Sequence, residues 1–572
     1  MHLLRQVPRP RPSELRTGGE SCCGRLSCDA PSAGSFNGTE AACNSRSGSQ
    51  RALRCASIRA LDAGAKAYSY DHRLLSSRTV RARRTSLVAA GLPEARPAAD
   101  ARPWHFPRGA QLVIGFEFCE RVGFYSMVSL LALFLSAGRA EGGFGWEDKP
   151  ALTLLGIFSG LMYALPVVGG WIADRFLGHR RALTVGGTLM FSAYLLLTAI
   201  VFMTRVSPVQ APMGLCSIPD GLPGAMSHAC VSVSAGFWIS IIALIAGNSL
   251  IKSTLVVALG DTFAGADTRR EPAYAYYYAG INLGGLVAGV AAGSVAAANG
   301  WAPAFGVSAI AMGIALVAYL TFGHRYLNPR AASVPGKSAA AAPTDTAGSG
   351  VRLFILAVFA LLLLVYSIGS FQLWGTMSLF LERSVNRHAS AFEIPTQWFT
   401  SIESAALILA APVFAALWGA LARRRREPDN LVKYALALFL GAAGLLLFAI
   451  AAWPHPGATK AGWFLPALGI WIQATGEVAA WTVTYGLVYR LAPQRIVSAV
   501  MGAFYAMTLG LGGYLAGQVG TFAESLGQGR YFLVLSVATA AAGLVALLVR
   551  PGLRALAARK SIDLYSRTAR GA

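Results

Sequence analysis

Apolar runs long enough to cross a bilayer recur along the chain from residue 109 to its end. A transmembrane helix needs about 20 predominantly apolar residues, and twelve segments reach this length. Since a backbone inside lipid must satisfy its hydrogen bonds within its own segment, each run predicts an α-helix. The predicted spans cover residues 110–136, 151–173, 182–204, 235–259, 273–297, 302–322, 352–381, 398–421, 430–452, 462–489, 498–521 and 530–549.

Basic residues occupy every second loop between these spans. Arg175, Arg180 and Arg181 follow the second span, and Arg269 and Arg270 follow the fourth. Because cytoplasmic loops carry an excess of Lys and Arg, every even-numbered span is predicted to end in the cytoplasm. Both termini are then cytoplasmic, in a multi-pass protein of the cell (inner) membrane. The alternation continues after the later even-numbered spans with His324, Arg325, Arg423 to Arg426, Arg490, Arg495, Arg550 and Arg554.

The longest internal break, residues 323–351, is rich in Ala, Pro, Ser and Gly and separates the sixth span from the seventh. Two six-helix halves joined by a flexible cytoplasmic linker are typical of two-lobed secondary transporters. We therefore expect an N-terminal lobe over residues 110–322 and a C-terminal lobe over residues 352–549. Residues 550–572 are predicted to form a cytoplasmic tail.

Residues 1–109 are basic and lack apolar periodicity. We expect a disordered tail or a mis-assigned start, with a targeting peptide as the alternative. The five cysteines of this segment are irregularly spaced and form no predicted metal site. Cys216 and Cys230 share the predicted external loop after the third span. An oxidising exterior would permit a disulfide between them, and two free thiols are the alternative.

The composition supports a protein solvated mainly by lipid. Only 13% of the 572 residues are charged, 55% are hydrophobic, and the mean hydropathy is +0.50. Soluble proteins carry about 25% charged residues. The net charge of +22 is spread over the tail and short loops rather than over one soluble domain, so no nucleic-acid partner is expected.

Ionisable residues in the middle of a span are costly and mark functional sites. Glu117, Glu120 and Arg121 lie in the first span at a spacing that puts them on one helical face. Two carboxylates beside one guanidinium can share a proton, and such a group can change its protonation as its surroundings change. A static salt bridge is the alternative interpretation.

Further polar groups lie inside later spans. Lys252, in the fourth span, needs a partner from another helix, and Glu477 of the tenth span is the best-placed candidate. A pair between the two lobes would open and close with the cavity. Glu403 lies in the eighth span, and Asn282 and Gln372 add neutral groups that either face the cavity or bond neighbouring helices.

No hydrolase, metalloprotease or nucleotide-binding motif occurs in the chain. We therefore expect no enzyme, no cofactor and no metal, and an ion gradient as the source of energy. A monomer in the bilayer is predicted.

Several motifs, in order along the chain, resemble those of the proton-dependent oligopeptide transporter family, within the major facilitator superfamily. Residues 117–121 and 248–252 resemble the ExxER and GNxxxK motifs of this family, and residues 277–284 resemble its FYxxINxG motif. The resemblance covers residues 110–550. Further matches are Tyr163, the segment from Gly169 to Arg175, Gly178, Gly476, Glu477 and the segment from Met501 to Gly517.

The resemblance implies the major facilitator fold and proton-driven import of di- and tripeptides. Glu117, Glu120 and Arg121 would couple proton movement to transport, together with Lys252 and Glu477. Arg121 and Lys252 would also attract the peptide carboxylate. The peptide amino terminus would be held by Glu477 and Asn282, and the cavity would be lined by Tyr125 and Tyr163.

The chain also departs from the family pattern. Glu403 stands where Asn is frequent, and Trp481 replaces a Ser, so the cavity gains a negative charge and an indole. Gln372, Glu403 and Trp481 complete the candidate substrate-binding residues. Other departures are Val128 for an Arg, Thr482 for a Pro, Phe504 for a Trp, and Phe371 where an acid is common.

The leading hypothesis is a proton-coupled symporter of peptides. The alternative is a proton-coupled symporter of a smaller, more cationic or modified solute, such as an amino-acid derivative. A membrane receptor that binds ligand without moving it is the third hypothesis, but a static binder has no need of a proton relay.

Overall fold

The computed structural model describes residues 105–206, 224–263, 267, 269–327, 349–453, 460–493, 496–560, 562 and 564, and most of them are helical. Cys216 and Cys230, for which both a disulfide and two free thiols were considered, lie outside the described side chains. So do the cysteines of the N-terminal segment and residues 328–348 of the predicted linker.

All twelve predicted spans coincide with helical segments. Nine of them are single helices and three are broken. The single helices are Arg108–Ser136 (first span), His179–Val206 (third), Gly224–Asp261 (fourth), Arg270–Asn299 (fifth), Trp301–Tyr326 (sixth), Trp398–Arg423 (eighth), Asn430–Ala451 (ninth), Phe464–Leu491 (tenth) and Gln528–Arg559 (twelfth). The broken spans are Asp148–Ala164 with Pro166–Ile172 (second), Ser349–Ser370 with Thr376–Ser384 (seventh), and Val497–Tyr505 with Leu511–Gly520 (eleventh). The second is bent, whereas the seventh and eleventh each continue as one span through a 3-10 segment at Phe371–Trp374 and a π-helical segment at Ala506–Gly510.

Among the described residues, 10 helices are long and apolar enough to cross a membrane, or 11 if the bent second span counts as one. The tenth span is not among them, since Gln473, Thr475 and Glu477 make it more polar. The predicted all-α polytopic fold is confirmed. The tenth span, which falls below the hydropathy of the others, carries the candidate site residue Glu477.

The twelfth helix continues past residue 549, where its span was predicted to end, to Arg559. Leu553 and Ala557 of this extension are buried, and the Arg550 Nε donates to Asp429 Oδ2 at 2.7 Å. The first part of the predicted tail is therefore a helix that packs on the loop between the eighth and ninth spans.

The helices pack as two lobes. In the N-terminal lobe, the first span packs on the fifth and sixth, and the third packs on the fourth and sixth. In the C-terminal lobe, the ninth span packs on the tenth and twelfth, and the seventh contacts the ninth, eleventh and twelfth. The second span meets the eleventh and the fifth meets the eighth, so these two pairs join the lobes.

The two lobes are closed against each other at the end that the sequence assigns to the exterior. Arg383 Nη1 donates to Asp148 Oδ2 at 2.7 Å, and Ser401 Oγ donates to the Leu286 carbonyl at 2.8 Å. One continuous core joins apolar side chains of the N-terminal lobe to those of the C-terminal lobe at this end, whereas the C-terminal lobe has a separate core at the opposite end. The molecule is therefore closed at this end, the predicted outer end.

In the part of the chain that the structure describes, four two-residue strands lie in loops at the predicted outer end. Val385–Asn386 pairs in parallel with Ala461–Gly462, and His388–Ala389 pairs antiparallel with Phe392–Glu393. The second pair ties the loop that connects the seventh and eighth spans into a hairpin.

Candidate functional site

The fourth span supports a bend in the second. The second span bends by 42° between Ala164 and Pro166. Because Pro166 has no backbone N–H, the carbonyl of Met162 loses its helical donor, and Asn248 Nδ2 donates to it at 2.8 Å. Ser249 Oγ donates at 2.9 Å to the carbonyl of Leu165, which also accepts from the Gly169 N–H. This contact fixes the fourth span one turn before Lys252.

The first-span charges form a compact buried cluster. Glu117 and Glu120 are fully buried, and Arg121 is 4% exposed. The Arg121 guanidinium binds Glu120 through two parallel hydrogen bonds, Nε to Oε2 and Nη2 to Oε1, each 2.6 Å long. Its Nε also lies 3.5 Å from Glu117 Oε1. A bidentate pair of this kind is strong and geometrically specific.

Lys252 completes this cluster from the fourth span. Its Nζ donates to Glu117 Oε1 and lies 3.2 Å from Glu120 Oε2. The predicted pair of Lys252 with Glu477 is therefore not formed in this structure. The two first-span carboxylates hold the ammonium within the N-terminal lobe, because both lie within ion-pair distance of its Nζ.

With both acids ionised, the cluster contains two negative and two positive charges. Adding one proton to either carboxylate would leave an excess positive charge and weaken the hold on Lys252. The arrangement can thus convert protonation into release of a cationic side chain.

Glu477 and Glu403 form the opposite wall of the site, in the C-terminal lobe. Ser370 Oγ donates to Glu477 Oε2 at 3.3 Å. Glu403 interacts electrostatically with Glu477. Neither carboxylate forms an ion pair with a described residue. The C-terminal wall is therefore acidic, whereas the charges of the N-terminal wall balance.

Aromatic side chains lie between the two walls. Tyr163 packs edge-on against Phe371, with ring centroids 5.6 Å apart, and Tyr125 packs against Trp374 at 6.0 Å. Both contacts join the lobes. Arg121 also lies over the ring of Tyr125, 5.6 Å from its centroid.

The predicted indole of Trp481 stacks within the C-terminal lobe. Its ring lies 5.4 Å from that of Tyr505 at an interplanar angle of 22°. The Tyr505 hydroxyl donates to the Tyr485 hydroxyl at 2.7 Å. Trp481 lies one helical turn after Glu477 on the tenth span. The stack is thus an aromatic surface next to Glu477.

The two neutral candidates differ in their surroundings. Asn282 Nδ2 donates to the Tyr278 carbonyl of its own helix at 3.0 Å. Its amide oxygen accepts no hydrogen bond within the described part of the chain. Gln372 is 1% exposed and all four of its hydrogen-bonding positions are used. It donates to the carbonyls of Ile368 and Ala516 and accepts from the hydroxyls of Thr376 and Tyr531. Gln372 therefore joins helices in this structure, which is the alternative that its sequence position left open.

Sequence reasoning missed two hydroxyl groups that hold the buried acids. Tyr277 OH donates to Glu117 Oε2 at 2.8 Å, and Ser370 holds Glu477. Tyr277 could have been suspected, since it belongs to the motif that contains Asn282. Ser370 carries no comparable signal, because Ser is frequent in membrane helices. Among the described residues, no group of His, Cys, Asp or Glu side chains could hold a metal ion.

The sequence matches the family model of the POT family over residues 181–344 and 330–533. Among characterised proteins, the chain is similar to the peptide transporter YePEPT of Yersinia enterocolitica. The two are 26% identical over 474 residues, which make up 71% of this chain and 85% of that relative.

Solved structures share the fold. A crystal structure of the peptide transporter POT in complex with sulfate has a TM-score of 0.67 at 20% identity and covers 79% of this chain and 96% of its own. A POT family transporter in complex with 5-aminolevulinic acid has a TM-score of 0.66 at 18% identity. That comparison covers 78% of this chain and 97% of the other.

Proposed function

Since the chain belongs to the POT family of membrane transporters, we propose that it is a proton-coupled symporter that imports di- and tripeptides by alternating access. The observation that carries the proposal is the position of Lys252, held by both Glu117 and Glu120 across two helices. A protonation event in the first span is thereby linked to the availability of a cation in the fourth.

The coupling step follows from the balance of charge. While both acids are ionised, Lys252 is bound within the N-terminal lobe. Protonation of Glu117 or Glu120 weakens this attraction, and Lys252 becomes available to a substrate carboxylate or to Glu477. The pair of Lys252 with Glu477 then belongs to a later conformation of the cycle, in which the lobes approach on the inner side.

The site has the polarity that a short peptide requires. Arg121 and Lys252 form a cationic pole that binds the carboxylate, and Glu477 forms an anionic pole for the amino terminus. Tyr125, Tyr163 and Asn282 lie between the poles and bind the peptide backbone. Substrate and protons move together into the cell through a monomer with both termini in the cytoplasm.

The proposal is tested by uptake into proteoliposomes under an imposed inward proton gradient, with a panel of di- and tripeptides. Accumulation that a protonophore abolishes is the expected result. In Glu120→Gln, gradient-driven accumulation should be lost, whereas exchange of labelled for unlabelled peptide continues. If the rate of uptake is unchanged by both the proton gradient and this substitution, transport is not coupled to protons.

Glu403 favours a second candidate substrate class, non-peptide or modified amino-acid solutes with additional positive charge. Its carboxylate adds a second acid to the wall that contains Glu477, and the indole of Trp481, stacked on Tyr505, lies one helical turn from Glu477. One solved relative binds 5-aminolevulinic acid, a small solute with an amino and a carboxyl group.

We expect Glu403→Asn to shift preference from cationic solutes towards neutral dipeptides. The measurement is competition of each solute class against one labelled substrate. An unchanged order of competitors shows that Glu403 does not contact the substrate.

A further inference from the structure

Two buried hydroxyl groups lie behind the first-span cluster, on the side away from the cavity. Tyr194 of the third span is 1% exposed and Ser308 of the sixth span is fully buried. Neither Tyr194 OH nor Ser308 Oγ has a hydrogen-bond partner among the described residues. Buried polar atoms are nearly always paired, because an unpaired group costs about 1–3 kcal/mol. Two such atoms in one region therefore require an explanation.

Gly123 shows that the Tyr194 side chain and the Ser308 backbone meet at one point on the first span. A Cβ atom placed on Gly123 would lie 3.1 Å from the Ser308 carbonyl oxygen and 3.5 Å from Tyr194 Cε2. Spans 1, 3 and 6 thus meet at this glycine, and the ring atom beside it is next to the carbon that bears the Tyr194 hydroxyl.

Glu120 lies on the same stripe of the first helix. Phe116, Glu120 and Gly123 follow the spacing i, i+4, i+7, which places them on one face. Phe116 contacts the third and sixth spans one turn below, where its ring approaches Gly187. Side chains of a helix lean towards its N-terminus, so Tyr194 points from the level of Gly123 towards Glu120. Tyr194 accordingly interacts electrostatically with Glu120 and Arg121.

Glu120 can therefore turn between two sets of partners. On the cavity side it faces Arg121 and Glu117 of its own helix and Lys252 of the fourth span. On the fifth span, Tyr277 binds Glu117. On the opposite side, on the face that carries Gly123, it faces Tyr194.

An ionised carboxylate stays with the cations, whereas a protonated carboxyl group loses that attraction. It then needs an acceptor for its O–H and a donor for its carbonyl oxygen. A hydroxyl group supplies both.

We propose that Tyr194 is a positioning residue that receives the protonated Glu120 carboxyl group while Lys252 binds the substrate. This inference rests on the proposed proton coupling and adds a second, resting position for the coupling proton inside the N-terminal lobe. The Tyr194 hydroxyl is unpaired in the present structure because Glu120 is held by Arg121 and Lys252.

Tyr194→Phe tests the proposal, because it keeps the ring and removes only the hydroxyl. Loss of one hydrogen bond to the protonated form should move the pH of half-maximal uptake to more acidic values by about 0.4 to 1 pH unit. The Tm of the substituted protein should be equal to or higher than that of the unchanged protein, since an unpaired buried group is removed.

Tyr434→Phe is the matched control. Tyr434 is equally buried, but its hydroxyl is paired with Thr484 in the C-terminal lobe. We expect a lower Tm and an unshifted pH profile for this variant. If the unchanged protein shows proton-driven uptake and Tyr194→Phe leaves the pH profile in place, the present inference is wrong while the proposed function stands. If the unchanged protein shows no proton-driven uptake, the proposed function itself fails.

Discussion

At the scale of single residues, Lys252 shows how the charges of the site depend on each other. It is 22% exposed, whereas the two carboxylates that it contacts are fully buried. Removing the ammonium leaves Arg121 as the remaining cation beside two acids. The free energy of unfolding should fall by up to about 3–5 kcal/mol, because an uncompensated buried charge is left behind.

We therefore expect Lys252→Gln to lower the Tm at neutral pH and to abolish gradient-driven uptake. The loss of Tm should be smaller in acid, since protonation removes the uncompensated charge. Adding Glu117→Gln should restore the Tm at neutral pH without restoring uptake. Thermal unfolding in detergent and proteoliposome uptake measure the two effects. A Lys252→Gln protein as stable as the unchanged one at neutral pH would falsify the contact.

Gln372 and Asn282 give a second test at this scale, since one amide is fully bonded and the other is not. Gln372→Leu leaves the Thr376 and Tyr531 hydroxyls without their acceptor, and each unpaired group costs about 1–3 kcal/mol. A clear drop in Tm with an unchanged KM is expected.

Asn282→Leu should show the reverse, a small change in Tm and a raised KM, because its one described hydrogen bond lies within its own helix. Uptake kinetics at several substrate concentrations separate the two outcomes. A Gln372→Leu protein with a raised KM and an unchanged Tm would show that Gln372 contributes to substrate binding.

At the scale of elements, the twelve spans could be predicted because length and hydropathy determine them directly. The mid-span charges Glu117, Glu120, Arg121 and Lys252 could be found for the same reason, since each is costly in lipid. The partner of Lys252 could not be predicted, because it depends on how the first and fourth helices pack. Glu477 satisfied the sequence criteria equally well.

The breaks in the helices could not be predicted from the sequence either, although the sequence explains them once the structure is known. Pro166 frees the carbonyl of Met162, and only the fold shows that Asn248 binds it. The seventh span breaks at Phe371–Trp374, where Phe371 and Trp374 contact Tyr163 and Tyr125 of the other lobe. Irregular backbone inside a membrane is stable where it is buried in protein, and here it lies beside the site.

At the scale of the whole molecule, the outer closure rests on backbone contact more than on charge. The pair of Asp148 with Arg383 is partly exposed, and such pairs contribute about 0–1 kcal/mol. Gly156 and Gly517 allow the second and eleventh spans to touch, since a Cβ atom on Gly517 would lie 2.4 Å from the Gly156 Cα. A side chain at residue 517 is thus incompatible with the closed outer end.

Gly517→Leu should therefore hold the outer end open and reduce uptake at least tenfold, whereas Asp148→Asn should change uptake by less than about fivefold. Outer opening can be followed in a protein whose native cysteines are replaced and that carries Ser159→Cys. Ser159 is 2% exposed and lies against Gly513 of the eleventh span. A membrane-impermeant maleimide added outside should label this cysteine slowly when Gly517 is unchanged. With Gly517→Leu, the labelling should be rapid. Equal labelling rates in the two proteins would show that the glycine contact does not control the closure. Rapid labelling only by maleimide added on the inside would show that the protein has the opposite orientation to the predicted one.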